Sequence, residues 1–201
     1  MIIALYRFCR YLVMLFHQSG MKKRTGEGKM ATVFRGARMI DGKGDGLEQC
    51  FVVTEGDRIV KVGKGHGPGR GKGDRVIDLD GRTLLPGMID CHVHFFLDAS
   101  ADPERSLQND SDALVVLKAA KNAHLTLLSG VTAVRDLGAR NRLSITLRNA
   151  VHMGIALGPR VLASGQLICM TGGHGWAFGQ EVDGPDGVRR AVREQIKAGA
   201  D

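Results

Sequence analysis

Four short runs rich in β-branched and aromatic residues occupy the first part of the chain: Thr32-Val33-Phe34, Phe51-Val52-Val53, residues 58–62 and residues 75–79. Turn formers separate them, including Asp41-Gly42 and Glu55-Gly56-Asp57, and no helical period intervenes. This pattern predicts a small β unit over residues 30–83. Residues 63–73 carry glycine at every second position with Lys64, Arg70 and Lys72 between. A phosphate loop needs its glycines followed by Lys and Ser or Thr at a helix start, a context this stretch lacks. It reads as a surface connection, with His66 exposed.

From residue 84 the period changes. An apolar run broken by Pro86-Gly87 ends in His92-Val93-His94. Residues 113–129 then follow a helical period with Lys118, Lys121, Asn122 and Ser129 as a polar stripe and Gly130 at the C-cap. A strand is predicted at 131–134, a helix at 141–153 with Asn141, Arg148, Asn149 and His152 on its wet side and Gly154 as stop, and a strand at 160–163. The last helix is predicted at 188–197, with Val188, Ala191, Val192 and Ile196 inward and Gly199 as cap. Strand followed by helix, three times over, is the signature of a parallel α/β layer or barrel.

Residues two apart on a strand point to one face, so His92 and His94 can offer two imidazoles to one metal ion while Val93 packs on the other side. The same spacing also occurs on the polar face of an ordinary sheet. The Pro-Gly turn before it and the βα segments after it favour the metal reading.

Composition narrows the rest. The chain has 201 residues, 43% hydrophobic and 24% charged, which is ordinary for a globular protein. Cys9, Cys50, Cys91 and Cys169 are widely spaced with no Cys-x-x-Cys pair, which fits free thiols in a reducing compartment. The net charge of +7 invites a nucleic-acid reading, but its location argues against one. Arg7, Arg10, Lys22, Lys23, Arg24 and Lys29 stand against Glu27 alone, so residues 1–29 carry +5 and residues 30–201 only +2. No phosphate-binding surface is expected in the body. The segment 1–16 is apolar but interrupted by Arg7 and Arg10, and no run approaches the roughly 20 residues of a spanning helix. If helical, it gathers Arg7, Arg10 and His17 in one sector. Residues 1–29 therefore read as a targeting or membrane-surface segment, or as upstream sequence before a start at Met30. A cytoplasmic location is expected, or an organelle if that segment is genuine.

Taken together, residues 86–94, the run Gly130-Val131-Thr132-Ala133-Val134-Arg135-Asp136-Leu137-Gly138, and Thr171-Gly172-Gly173-His174-Gly175 resemble the metal-dependent amidohydrolase superfamily, in its imidazolonepropionase-like and prolidase-like branch. The resemblance runs from about residue 31 to residue 201. It implies an α/β fold: part of a (β/α)8 TIM barrel, about its first three βα units over residues 84–201, with a small N-terminal β-sandwich portion over 30–83. It also implies that His92 and His94 bind a divalent metal, zinc first, at the C-terminal end of the first barrel strand, where barrel enzymes keep their chemistry. His174, in the Gly-rich loop after the third strand, is then a candidate substrate contact, against a loop histidine satisfied by neighbouring backbone. Asp136 beside Arg135 is read as a local ion pair or loop-fixing group, His124 and His152 as surface residues, and Trp176 as packing.

In relatives, a Lys on the fourth strand, a His on each of the fifth and sixth and an Asp on the eighth complete a site for one or two metals, with the Asp taking the proton. A barrel needs about 250 residues, whereas residues 84–201 supply 118. No catalytic residue is therefore assigned in this chain. The expected function is hydrolysis of C-N bonds in a small amide, cyclic amide or dipeptide, by an N-terminal portion inactive alone. The alternative is a non-catalytic fragment, or one half of a split enzyme, acting through a complementing C-terminal half or as a homo-oligomer.

Overall fold

A computed structural model describes residues 2–4 and 30–201, apart from residues 45, 70 and 72. Most of the 1–29 segment, including the sector of Arg7, Arg10 and His17, lies outside the described residues. The chain divides into two units, residues 1–88 and 89–201.

The first unit is a six-stranded sheet built from β1 (Ile2–Ala4), β2 (Ala31–Met39), β3 (Leu47–Glu55), β4 (Arg58–Lys64), β5 (Arg75–Asp78) and β6 (Thr83–Leu85). Its order is β1-β6-β2-β3-β4, with β5 pairing β2. Val33 lies opposite Val53 and Phe34 opposite Val52 in the antiparallel β2–β3 pair. Successive residues face opposite sides of a sheet, so this pair starts two apolar clusters. One holds Phe34, Ala37, Val52, Leu79 and Leu84, the other Val33, Phe51 and Val53. The register shifts between Arg35 and Ala37, at Gly36 with φ +71°. The bulge divides the partners of β2: β5 pairs before it and β6 after it. The division between units falls after residue 88 because Thr83–Leu85 pairs with β1 and β2. Ile2–Ala4, expected to be part of an appended or helical segment, is instead a strand beside β6.

The second unit is mixed α/β. Its elements are β7 (Met88–Val93), α1 (Pro103–Asn109), α2 (Asp112–Leu128), β8 (Val131–Asp136), α3 (Leu143–His152), β9 (Arg160–Ala163), β10 (Ile168–Cys169), β11 (Gln180–Glu181) and α4 (Gly184–Lys197). The sheet order is β7-β8-β9, and β8 and β9 run parallel from Ala133 opposite Arg160 to Asp136 opposite Ala163. The Ser111 hydroxyl caps α2 by accepting from Leu114 N at 3.3 Å. Val115, Ala119, Ala123 and Leu127 recur every fourth residue and form its buried stripe. α2 packs on β8 and α3, and α3 on β9. Among the described residues, no helix is long and apolar enough to cross a membrane.

Three helix expectations change. α1 was not foreseen; Asp102 caps it by accepting from Arg105 N at 3.1 Å, with Pro103 in its first turn. α3 starts at Leu143, because Asn141 and Arg142 are left-handed at φ +51° and +60°. Tertiary bonds hold that bend: Arg140 donates to Leu107 O, to Asp110 O at 2.5 Å and to Asp112 Oδ1 at 2.9 Å, and Asn141 donates to Asp112 Oδ2 at 2.9 Å. α4 begins at Gly184, ahead of Pro185, and of its expected inward residues only Ala191 is buried. Val188, Val192 and Ile196 are exposed, and Gln195 is buried in their place.

Just before α1, Asp98 accepts from Ser100 N at 3.1 Å and from the Ser106 hydroxyl at 2.5 Å. The Ser100 and Ser106 hydrogen bonds pull its carboxyl down to about 2. A depressed folded-state pKa gives stability that is present above the ordinary carboxylate range near 4 and lost as pH falls through about 2. Thermal melts between pH 5 and 2 should therefore show a shallower acid limb for Asp98→Asn than for the natural chain. Identical limbs would contradict this.

Candidate metal site at the end of β7

His92 is the fifth residue of β7 and His94 follows the strand's last residue. Alternation brings the two rings to one side, with centroids 5.5 Å apart and planes at 72°. The backbone N–H of His92 donates to Asp90 Oδ1 at 3.0 Å. His92 is exposed and His94 half-buried. His94 Nδ1 lies 3.0 Å from Gly138 O. Among the described residues, no group of three or more His, Cys, Asp and Glu is arranged to hold a metal, so this pair is a partial donor set. As such it fits a divalent ion: two imidazoles lie on one side, and one already has its second nitrogen engaged by a carbonyl, as metal-binding histidines usually do.

Behind His94 sits an aromatic cluster. His94 meets Phe96 at 5.6 Å and Phe178 at 5.5 Å, and the two phenyl rings are 5.6 Å apart, all edge-to-face. Both phenylalanines are buried. Phe178 comes from the loop between β10 and β11, which pair in parallel. A glutamine network secures that loop: Gln195 accepts from Gln166 N at 3.0 Å and donates to Gln180 at 2.9 Å, while Gln166 donates to Phe178 O at 3.3 Å. His174 stands exposed on the same loop. Trp176, expected to be packing, is 54% exposed.

The ends of β7 and β8 are tied together. Asp136 is fully buried and accepts from Phe95 N at 3.3 Å and Gly138 N at 3.0 Å. Burial pushes its carboxyl above the usual range, against the lowering by those two N–H groups and by His94. Leu137 N donates to Val93 O at 3.0 Å. Asp136 thus fixes a loop, as one sequence reading had it, while Arg135 bonds elsewhere, to Cys91 O at 2.8 Å. Asn122, expected on a wet stripe, is half-buried and donates to Phe95 O at 2.7 Å and Leu97 O at 3.1 Å. His124 is also half-buried, and its Nδ1 is inaccessible and lacks a hydrogen-bond partner; His152 is exposed as expected. Phe178, Gly138 and Asn122 are the site residues that sequence reasoning missed. Only Gly138 had a signal, as the end of the run beginning at Gly130.

Comparison with known proteins bears on this geometry. A family model described as the amidohydrolase family matches residues 83–201. Ochratoxinase of Aspergillus niger is 29% identical over 210 residues, covering 88% of this chain and 42% of that protein. Imidazolonepropionase of Pseudomonas putida is 29% identical over 119 residues, covering 57% of this chain and 30% of that one. Among solved structures, a prolidase complexed with N-methylphosphonate-L-proline is 34% identical with a TM-score of 0.73, covering 85% of this chain and 45% of that one. The chain thus spans less than half the length of these relatives.

Proposed function

Because this chain belongs to the amidohydrolase family, we propose that it is the N-terminal portion of a metal-dependent hydrolase of C-N bonds in small amides, cyclic amides or dipeptides. Its homologues are hydrolases of that family. The observation that carries the reading is the His92–His94 pair, with rings 5.5 Å apart at the C-terminal end of β7. In this proposal β7, β8 and β9 with their helices are the first three βα units of a (β/α)8 barrel, and the sheet of the first unit is part of a β-sandwich.

His92 and His94 would hold the metal, zinc in the first place by the family resemblance, since imidazole nitrogen itself suits several divalent ions. When bound there, a divalent ion supplies a Lewis acid for the scissile carbonyl and acidifies a water. The chain's own residues do the rest. Phe96 and Phe178 close the space behind His94 and keep water from it. His174, exposed on the loop that brings Phe178 in, contacts the substrate's carbonyl or carboxylate. Further ligands and the proton acceptor come from a C-terminal half, on the same chain or a complementing one. The partial donor set and the coverage of 42–45% support that second part of the reading.

Titration with zinc or cobalt(II), followed by equilibrium dialysis, tests the site. One ion per chain is expected, with a loss of at least about tenfold in affinity in His92→Ala and His94→Ala and of all specific binding in the double variant. Equal binding by the double variant would refute the site.

A further inference from the structure

We propose that Asp136 is a positioning residue that fixes the ring of His94, through Gly138, in the one tautomer able to bind a metal through Nε2. This rests on the reading of His94 as a ligand. The observations form a closed circuit at the tips of β7 and β8. The buried carboxylate accepts from Phe95 N at 3.3 Å, one residue past His94, and from Gly138 N at 3.0 Å. The carbonyl of that same Gly138 lies 3.0 Å from His94 Nδ1. A carbonyl oxygen cannot donate, so Nδ1 carries a proton, and in the neutral ring Nε2 then keeps its lone pair. One side chain therefore holds both the peptide after the ligand and the residue that selects the ligand's tautomer.

Carboxylate chemistry suits this place better than an amide. Asp136 faces two N–H donors, which its two oxygens satisfy separately. Asparagine has the same shape but one acceptor oxygen, so its amide nitrogen would meet one N–H donor to donor. Nothing larger can enter from the glycine side. A Cβ on Gly138 would stand 2.5 Å from Leu167 N and 2.9 Å from Gln166 C, and the residue has φ +115°. Leu137 N bonding to Val93 O at 3.0 Å closes the circuit beside the ligand. The two strand ends are thus tied through one buried carboxyl group that accepts from two backbone N–H groups.

Long-range ¹H–¹⁵N correlation spectra of the metal-free chain read the tautomer directly. His94 of the natural chain should carry its proton on Nδ1. In Asp136→Asn the signals should move to a mixture of tautomers, and cobalt(II) affinity should fall about 10–100-fold, the usual cost of losing such a partner. A merely structural aspartate would lower the melting temperature and leave the tautomer alone. If the amide prevents folding, Asp136→Ser, which leaves a hydroxyl and room for water, replaces it with the same expectation. An Nε2-protonated His94 in the natural chain, or an unchanged tautomer and cobalt(II) affinity in a folded Asp136 variant, would overturn the proposal. Failure of the ligand reading looks different: the tautomer would still respond to Asp136 while His94→Ala left cobalt(II) binding intact.

Discussion

Gly138→Ala should destabilise the α/β unit by about 3–5 kcal/mol, a large share of the 5–15 kcal/mol that holds most domains together. Two costs combine. At φ +115° a residue with a Cβ sits where L-residues are strained, which costs on the order of 1–3 kcal/mol. The new carbon would also stand 2.5 Å from Leu167 N and 2.9 Å from Gln166 C. Both are backbone atoms that no rotamer change can move aside, and overpacking of this kind costs a further ~1–3 kcal/mol. For a unit of this size the melting temperature should fall by about 10–20 °C. Gly172→Ala is the control: it too has positive φ, at +66°, but nothing lies within 4 Å of its added Cβ, so its cost should be about 1 kcal/mol. Calorimetry of the two variants decides the matter, and equal shifts would show that the close approach at Gly138 relaxes freely.

How much of this was legible from residue order depends on whether the deciding force was local. Strands β2 to β5, β8 and β9 follow from runs rich in β-branched residues set between turn formers, and α2 from an apolar residue every fourth position closed by Gly130 at φ +95°. The histidine pair was legible because strand alternation alone brings His92 and His94 to one side. What escaped was set by distant partners. The late start of α3 comes from Arg140 and Asn141 reaching Asp112, nearly thirty residues away. Phe178 enters the site from a loop more than eighty residues beyond His94, and nothing in Gly175-Trp176-Ala177-Phe178 distinguishes the ring that packs on the histidine from the indole that stays exposed.

The expected inward face of α4 failed for another reason. A period of 3.6 marks an apolar stripe but not what covers it. Val188, Val192 and Ile196 are exposed, as are Leu114, Leu117, Leu125 and Leu128 on α2. Ordinary globular surfaces scatter such side chains singly; here they line up along two helices of a chain that spans 45% of the solved prolidase it matches. These stripes are the surfaces on which a C-terminal half would pack in the proposed function.

In the proposed function this chain carries only part of the site, which sets the second large effect: the 201-residue chain alone should hydrolyse dipeptides and N-acyl amino acids at least about a thousandfold more slowly than its prolidase relatives. Catalytic zinc sites usually have three protein ligands, and the described residues supply no group of three. Asp136, among the described residues the one fully buried carboxylate beside the pair, already accepts from Phe95 N and Gly138 N, so it is committed to holding the loop and is not placed to take a proton from water. General acid–base assistance contributes on the order of 10²–10⁴ in rate, and its loss alone accounts for a deficit of that size. The measurement is turnover of a panel of dipeptides and N-acyl amino acids with zinc, manganese or cobalt(II) added, run beside the His92→Ala, His94→Ala double variant. Background rates for both chains are expected. Robust turnover that the double variant loses would overturn the incomplete site and at the same time establish the histidine pair as its centre, because only a metal held by those two rings would disappear with them.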